Sequence, residues 1–245
     1  MPKNDWNDAQ TAQAWDVNGD SRNPIRAEQL DILVSVLADA LQPDDWFVDL
    51  GFGSGKVEEL IFSKIAGVRG IGIDMSEAMM KLAEDRLKPY RGRFETVARN
   101  LADLSTLQLD KPIRAAVAVQ SLHHLSQEAM YAAYQWIYQT LEPGGVFLLS
   151  DRMQVASAAQ WTLLRSLWKR QDRLYHSHVT PHEGDSFEHH QQTVIDRGDY
   201  PIPLIQQLTW LQSIGFDAFC LHVHAHRALI AAVKPAEGPK VATTE

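Results

Sequence analysis

A glycine-rich segment and a second acidic residue further along the chain could together hold a nucleoside. Residues 46–50 are mostly apolar around Asp49 and lead directly into GFGSG, which contains Gly51, Gly53 and Gly55. Glycines lack a Cβ, so a ligand can approach their backbone closely, and the first N–H groups of a following helix can bind it. Asp74 ends the next strand-like segment, where a carboxylate commonly accepts the ribose hydroxyls. This pattern predicts a binding site for a nucleoside-containing cofactor.

The position of Asp49 indicates which cofactor the loop binds. A dinucleotide site reads G-x-G-x-x-G, whereas here an acid that would suit an amino group stands two residues before the first of three alternate glycines. The segments VDLGFGSGK, GIDMSEAM, VQSLHHLS and LEPGGVFLLSD resemble, in order, the motifs of class I S-adenosylmethionine-dependent methyltransferases over residues 40–234. The resemblance implies S-adenosyl-L-methionine as the cofactor. It also implies that Asp49 and the glycines hold its methionine part and that Asp74 holds its ribose.

Four further residues are predicted at the cofactor by the same resemblance: Met75, Asn100, Leu101 and Gln120. Met75 is expected on the adenine face, with a place in the core as the alternative. Asn100 stands where the family usually has an acid that accepts a hydrogen bond from the adenine amino group. An amide keeps one acceptor oxygen, and Asp103 is an alternative acceptor.

Two adjacent histidines follow the fourth strand-like segment and are the predicted catalytic residues. His123 and His124 lie where the methyl group of the cofactor would point. Imidazole suits proton removal near neutral pH, and a role in capping the next helix is the alternative. Neighbouring residues are not expected to face one pocket together. The cyclopropane-forming relatives have Glu-His here with the Glu in the active site, which favours His123.

The remaining histidines form two groups that could suggest a metal. One group lies in a polar segment and the other alternates near the C-terminus: His182, His189 and His190, and His222, His224 and His226. A hairpin turn is expected to interrupt the alternation, and no carboxylate spacing accompanies either group. The sequence therefore predicts no metal site, and it favours a polar lining of the acceptor pocket to which Tyr175, His176 and His178 could also belong.

Alternating apolar segments and helical patterns predict an α/β fold. Strands are expected at 46–50, 69–74, 94–99, 113–119, 145–150, 217–223 and 227–233. The last two lie too close for a crossover helix, so they must be antiparallel. The prediction is a doubly wound, mostly parallel seven-stranded sheet with an antiparallel C-terminal edge hairpin, as in class I methyltransferases.

The same patterns divide the chain into five segments. We expect an N-terminal helical lid, a cofactor-binding core, an insert that forms the acceptor pocket, a C-terminal helix with the edge hairpin, and a flexible tail, over 1–40, 41–151, 152–200, 201–234 and 235–245. Within the insert, a helix is expected at 154–176, followed by a loop to about 192.

Composition limits the classes of partner. The chain has 245 residues, 45% of them hydrophobic, and a formal net charge of −8. A polyanionic substrate such as nucleic acid needs a basic face, and the apolar runs are too short to span a membrane. A single cysteine, Cys220, excludes an intramolecular disulfide framework. The expectation is a cytoplasmic protein, monomer or homodimer, that acts on a small molecule.

These observations predict methyl transfer from S-adenosylmethionine to a small-molecule acceptor. Some relatives instead make a carboxylated form of the cofactor and need an arginine for the added carboxylate; Arg22, Arg26 and Arg152 are the candidates. A third hypothesis is a non-catalytic subunit that binds the cofactor and serves a partner. The acceptor itself is not predictable, because specificity lies in the variable insert.

Overall fold

A computed structural model describes residues 5–19 and 23–236 of the chain. Arg22 lies outside the described residues, and so does the predicted tail apart from its first two residues. No helix among the described residues is long and apolar enough to cross a membrane.

A seven-stranded sheet forms the centre of the described chain, in the order β3-β2-β1-β4-β5-β7-β6. The strands in chain order are β1 Trp46–Leu50, β2 Arg69–Asp74, β3 Phe94–Ala98, β4 Ile113–Val119, β5 Leu141–Arg152, β6 Asp217–His224 and β7 Arg227–Val233. Strands β1 to β5 pair in parallel, while β7 is antiparallel to both β5 and β6. The predicted fold class, including its antiparallel edge hairpin, is confirmed.

Helices cover both faces of the sheet. They are α1 Ala9–Asn18, α2 Arg26–Ala40, α3 Lys56–Lys64, α4 Glu77–Arg86, α5 Gln127–Thr140, α6 Ala158–Tyr175, α7 Val179–Glu183, α8 Phe187–Arg197 and α9 Leu204–Ile214. Short 3₁₀ turns occupy Lys88–Tyr90, Leu101–Thr106 and Leu122–His124. Every residue of β1 is buried, because both sheet faces are covered. Its side chains alternate between two cores, with Val48 in one and Phe47 in the other.

The prediction for the insert was wrong in one respect. The segment expected to be a loop up to residue 192 contains α7 and the first part of α8. Ser186 caps α8 by accepting a hydrogen bond from the His189 N–H, and Gly198 ends it with a left-handed backbone. The insert has its own small core, in which Val179 packs with Trp161 and Trp168 of α6.

The topology brings several strand ends together. Because β1, β2 and β4 are parallel, their carboxyl ends lie at one edge of the sheet, and the strand order reverses between β1 and β4. Ligands of open α/β sheets bind in the crevice beside such a reversal. The carboxyl end of β5 also meets the start of β7 there, with Arg152 directly opposite Arg227.

Candidate functional site

A cavity of about 780 Å³ lies at the carboxyl ends of the central strands. Ten of the eleven residues predicted at the site line it: Asp49, Gly51, Gly53, Asp74, Met75, Asn100, Leu101, Gln120, His123 and His124. The N-terminal segment, α7 and the end of α8 complete the wall with residues such as Trp6, Trp15, Glu183 and Asp199. The sequence predictions therefore converge on one enclosed space.

The glycine loop is held open by backbone geometry that favours glycine. Gly51 and Gly53 both have positive φ, at 78° and 57°. A Cβ on Gly51 would lie 2.4 Å from the Cβ of Ser121, whereas a Cβ on Gly53 would meet no atom of the described chain within 4 Å. Gly51 thus allows a close chain crossing, and Gly53 leaves open space for a ligand.

The third glycine of the loop lies at the start of α3. Gly55 does not line the cavity in the described part of the chain. It caps α3 in a left-handed conformation, and a Cβ there would lie 3.1 Å from both the Ala83 Cβ and the Leu87 Cδ1. Gly55 therefore allows close packing of α3 against α4, and its contact with the cofactor stays a prediction.

Asp49 is a buried acid whose carboxylate oxygens lack a hydrogen-bond partner in the described chain other than the neighbouring Glu58 carboxyl. Burial raises its pKa to about 6, and Asp74 adds to the rise. The buried carboxyl of Glu58 beside it also has a raised pKa, through burial and through Asp49 itself. A hydrogen bond with the Glu58 carboxyl partly lowers the pKa of Asp49. A buried acid with few donors is costly, and the ammonium group of a methionine moiety would supply further donors. The predicted role of Asp49 fits this arrangement.

Asp74 lies at the end of β2 and joins the two loops that border the cavity. Its Oδ2 accepts a hydrogen bond from the Gly53 N–H at 2.9 Å, and its Oδ1 accepts one from the Ser76 N–H at 2.9 Å. Each carboxylate oxygen can accept a further bond, so a ribose diol can still be held. Burial raises the pKa of Asp74.

The residues predicted around the adenine lie along the same wall. Met75 is 55% exposed, which excludes the alternative of a core methionine. The Asn100 Oδ1 accepts a hydrogen bond from the Ala102 N–H at 2.9 Å, so the amide is already oriented by its own backbone turn. Asp103, the alternative acceptor, does not line the cavity. Gln120 has a left-handed backbone and donates its N–H to the Ser150 carbonyl.

His123 and His124 both line the cavity, which corrects the expectation that only one of them could. Their rings lie 4.1 Å apart in a single 3₁₀ turn. The Nδ1 of His123 is 2.5 Å from Asp151 Oδ1, and the His123 N–H donates to Asp151 Oδ2 at 3.1 Å. Asp151 therefore holds the imidazole at both its ring and its backbone, and Nε2 of His123 is directed away from it.

A second carboxylate, Asp199, completes this cluster. Its Oδ1 lies 3.0 Å from the His124 Nδ1 and 3.7 Å from the His123 Nε2, and its Oδ2 accepts from Arg152 at 3.0 Å. Burial opposes ionisation of Asp199, but the hydrogen bond from His124 and the neighbouring positive charges hold its pKa at about 2. Burial lowers the pKa of His123 despite the opposing effect of Asp151. At neutral pH the cluster thus combines ionised carboxylates with a neutral His123.

The other histidines do not form the polar pocket lining that the sequence favours. Of the two groups, His182 alone lines the cavity within the described residues, and Tyr175, His176 and His178 do not. His190 and His226 instead flank the buried Glu183, at 3.4 Å and 3.8 Å. The His226 Nδ1 accepts a hydrogen bond from Trp168, and burial lowers its pKa to about 3. These contacts join the insert to the edge hairpin.

Three residues of the site were missed by the sequence analysis: Asp151, Asp199 and Arg227. Asp151 is near the carboxyl end of β5 and directly follows the strand predicted at 145–150, and a strand-end acid is a signal that could have found it. Asp199 and Arg227 lie after a helix and at a hairpin, and nothing in their local sequence sets them apart. Both reach the cavity only through the tertiary fold.

Comparison with known proteins agrees with this geometry. Residues 47–145 match the family described as a methyltransferase domain. An O-methyltransferase family protein of Burkholderia thailandensis superposes with a TM-score of 0.67 at 13% identity, covering 94% of this chain and 61% of that one. Residues 47–145 are thus similar to a methyltransferase domain, and the fold of the chain is similar to that of the O-methyltransferase family protein. The fold and motifs of this chain support an enzyme that uses S-adenosylmethionine.

Two of the curated relatives share a name. The chain is 27% identical to the carboxy-S-adenosyl-L-methionine synthase of Nautilia profundicola over 146 residues, 60% of this chain and 61% of that protein. It is 25% identical to the enzyme of the same name from Pseudomonas aeruginosa over 208 residues, 79% of this chain and 81% of that protein. The match to the first relative thus spans about three fifths of its length.

Proposed function

We propose that this methyltransferase-superfamily protein moves the methyl group of S-adenosylmethionine to a small-molecule acceptor, with His123 as the base that removes the proton of the acceptor. The observation that carries this proposal is the buried His123–Asp151 pair, whose ring atoms lie 2.5 Å apart beside the predicted cofactor residues. Bound S-adenosylmethionine supplies an electrophilic methyl group whose leaving group needs no further activation.

The geometry supports a defined task for each residue of the pair. Asp151 accepts the Nδ1–H of His123, which leaves Nε2 as the lone-pair atom that faces the cavity. When the acceptor oxygen or nitrogen took the methyl group, the methyl carbon–sulfur bond would break and its electron pair would stay on the sulfur of S-adenosylhomocysteine. The acceptor proton would pass to Nε2 of His123, and the carboxylate of Asp151 would stabilise the imidazolium that forms. Asp199 lies 3.7 Å from Nε2 and orients His124 and Arg152 around the same space.

A small molecule is favoured as the acceptor because the cavity is enclosed by the N-terminal segment and the insert. The Trp6 carbonyl accepts a hydrogen bond from Ser76 at 2.5 Å, and Trp6 packs on His124 with ring centroids 5.9 Å apart. Asp16 of α1 is bound by Ser54 and by Arg86, which ties this helix to the glycine loop. A net charge of −8 also disfavours nucleic acid, and we expect the protein to act in the cytoplasm.

The proposal is tested by following release of S-adenosylhomocysteine from S-adenosylmethionine. The purified protein is incubated with size-fractionated cell extract, and the His123→Ala variant is the matched control. We expect release that depends on the low-mass fraction and on His123. Release that needs the protein fraction, or no release with any fraction, would contradict the proposal.

A second candidate function is synthesis of a carboxylated cofactor, and two observations favour it. The curated relatives carry the name carboxy-S-adenosyl-L-methionine synthase. Arg26 and Arg152, which the sequence analysis singled out for this chemistry, both line the cavity. Mass spectrometry of the cofactor after incubation with the extract separates the two functions, since only this reaction adds a carboxyl group to the cofactor.

A further inference from the structure

Two arginines face each other where β5 meets β7. Arg152 and Arg227 are directly opposite in the antiparallel register, and both line the cavity. Residues that are opposite across two strands project from the same face of the sheet, and like charges in this position repel each other. An arrangement that brings two guanidinium groups together inside a protein requires a compensating negative charge.

Arg152 is in direct contact with such a charge, whereas Arg227 contacts none among the described residues. The Arg152 guanidinium donates to Asp199 Oδ2 at 3.0 Å. Arg227 is only 8% exposed, and its guanidinium makes no hydrogen bond and no ion pair within 4 Å to any residue that the structure describes. Burial, with Arg152 beside it, lowers the pKa of Arg227 to about 10. The group therefore remains charged at neutral pH while lacking a partner.

The nearest acids, Glu183 and Asp151, make no contact with the Arg227 guanidinium within the described chain, although Glu183 Oε2 has no hydrogen-bond partner there. Glu183 is flanked by the rings of His190 and His226, and Asp151 accepts from His123 and from the Arg152 N–H. Both attract Arg227 through space without contacting it. The missing partner of Arg227 is therefore an anion that enters the cavity.

We propose that Arg227, with Arg152 beside it, is the binding site for a carboxylate group on the substrate. The inference rests on the proposed function and narrows its acceptor to a carboxylate-bearing small molecule. The planar fork of a guanidinium matches the two oxygens of a carboxylate. Asp151 and Glu183 act on Arg227, Asp199 binds Arg152, and all three acids have lowered pKa values. Their repulsion favours a singly charged group over a phosphate dianion.

The carboxylate of the cofactor is a different anion from the substrate carboxylate, and we expect it to lie near a different arginine. It is one carbon from the ammonium group that Asp49 is predicted to bind. The arginine whose charge acts on Asp49 is Arg26 of α2. The charges that act most on Arg227 are instead those of Arg152, Glu183 and Asp151, and Arg26 has a smaller effect on it. Asp151 binds His123 of the histidine cluster. Arg227 therefore serves the acceptor end.

The test uses full-length protein saturated with S-adenosylhomocysteine and titrated with benzoate, with its neutral isostere benzamide, and with inorganic phosphate by calorimetry. We expect benzoate to bind at least about tenfold more tightly than benzamide or phosphate. Arg227→Gln should weaken benzoate binding about tenfold or more, with little change in S-adenosylhomocysteine affinity. Arg91→Gln, which removes the same charge from an exposed position outside the cavity, should leave both unchanged.

Three results would overturn the proposal. The first is equal binding of benzoate and benzamide, and the second is tighter binding of phosphate than of benzoate. The third is a loss of S-adenosylhomocysteine affinity in Arg227→Gln, which would assign this arginine to the cofactor. Because S-adenosylhomocysteine binding is measured separately, failure of the cofactor assignment is distinguishable from failure of the anion site.

Two further assays of Arg227→Gln identify which molecule carries the carboxylate. If it belongs to a methyl acceptor, Arg227→Gln should raise the KM for the low-mass fraction of the extract in the S-adenosylhomocysteine release assay. If it belongs to a carboxyl donor for the second candidate function, the same variant should reduce the carboxylated cofactor that mass spectrometry detects. An Arg227→Gln variant that matches the parent protein in both assays would contradict the inference.

Discussion

The backbone N–H of Gly53 donates a 2.9 Å hydrogen bond to Oδ2 of Asp74, which joins the glycine loop after β1 to the end of β2. One carboxylate thus fixes the loop and is also the predicted acceptor for the ribose hydroxyls. The two motifs that the sequence analysis combined are physically one unit. Changes at either residue should therefore act on the cofactor first.

Asp74→Ala should weaken S-adenosylhomocysteine binding by about ten- to a hundredfold. The variant loses about two charge-assisted hydrogen bonds to the ribose, at about 1.5–3 kcal/mol each and partly replaced by water, as well as the bond to Gly53. Calorimetry measures the loss, with the exposed Asp110→Ala as the control. An unchanged affinity, or tight binding of NAD or NADP in place of S-adenosylhomocysteine, would refute the assigned site.

Substitutions at Gly53 and Gly55 should affect two different properties, cofactor binding at Gly53 and protein stability at Gly55. Gly53→Val should abolish binding of S-adenosylhomocysteine while the protein still folds, because the added side chain projects into space that no described atom occupies. Gly55→Ala should instead lower the melting temperature, since its Cβ would press on Ala83 and on Leu87. Thermal unfolding and calorimetry on both variants check this pair. Loss of binding in a stable Gly55→Ala would assign Gly55 to the cofactor site.

Affinity for S-adenosylhomocysteine should fall as the pH drops below about 6. Burial raises the pKa of Asp49 to about 6, above its ordinary 3.8, so the folded protein binds an extra proton between these values. Asp49 therefore contributes to the stability of the unliganded protein at low pH, and this contribution is lost as the pH rises through about 6. The cofactor ammonium favours ionised Asp49, so affinity should decrease by up to about tenfold per pH unit below that value. Calorimetry of S-adenosylhomocysteine binding from pH 5 to 8 tests this prediction. The affinity of the Asp49→Asn variant should not change with pH over this range.

His123→Ala should lower kcat by about 10²–10⁴ with S-adenosylhomocysteine affinity nearly unchanged. Because burial lowers the pKa of His123 below its ordinary 6.5, neutral imidazole persists at pH 6.5, and the parent rate should decline only at more acidic pH. Steady-state kinetics over pH provide the measurement, with the exposed His178→Ala as the control. A His123→Ala variant that melts normally and keeps the parent rate would remove this residue from the mechanism.

Much of the fold was predictable because the strands are short apolar runs with clear ends. The predicted limits of β1, β2, β4 and β7 agree with the structure residue by residue. Local sequence was less informative where burial is created by distant residues. Glu183 and His190 read as polar loop residues, yet Trp168 and His226 bury them in the folded insert.

The predicted site was most accurate where a backbone motif determines geometry and least accurate where two distant segments meet. His123 and His124 were expected to diverge as neighbours do in a strand, but a 3₁₀ turn has three residues per turn and lets both rings reach one space. Arg227 enters the site through its register with Arg152, which local periodicity cannot reveal. Asp199 likewise reaches the site only because of the path that the insert takes in the fold.

The most direct test of the account is mass spectrometry of low-mass cell extract treated with the protein and S-adenosylmethionine that carries a trideuterated methyl group. Asp74→Ala serves as the blank. We predict a small carboxylate that gains one trideuteromethyl group with the parent protein and not with the blank, together with S-adenosylhomocysteine. The account would be contradicted if no small molecule in any fraction carried the label and the cofactor kept its labelled methyl group without gaining any other group.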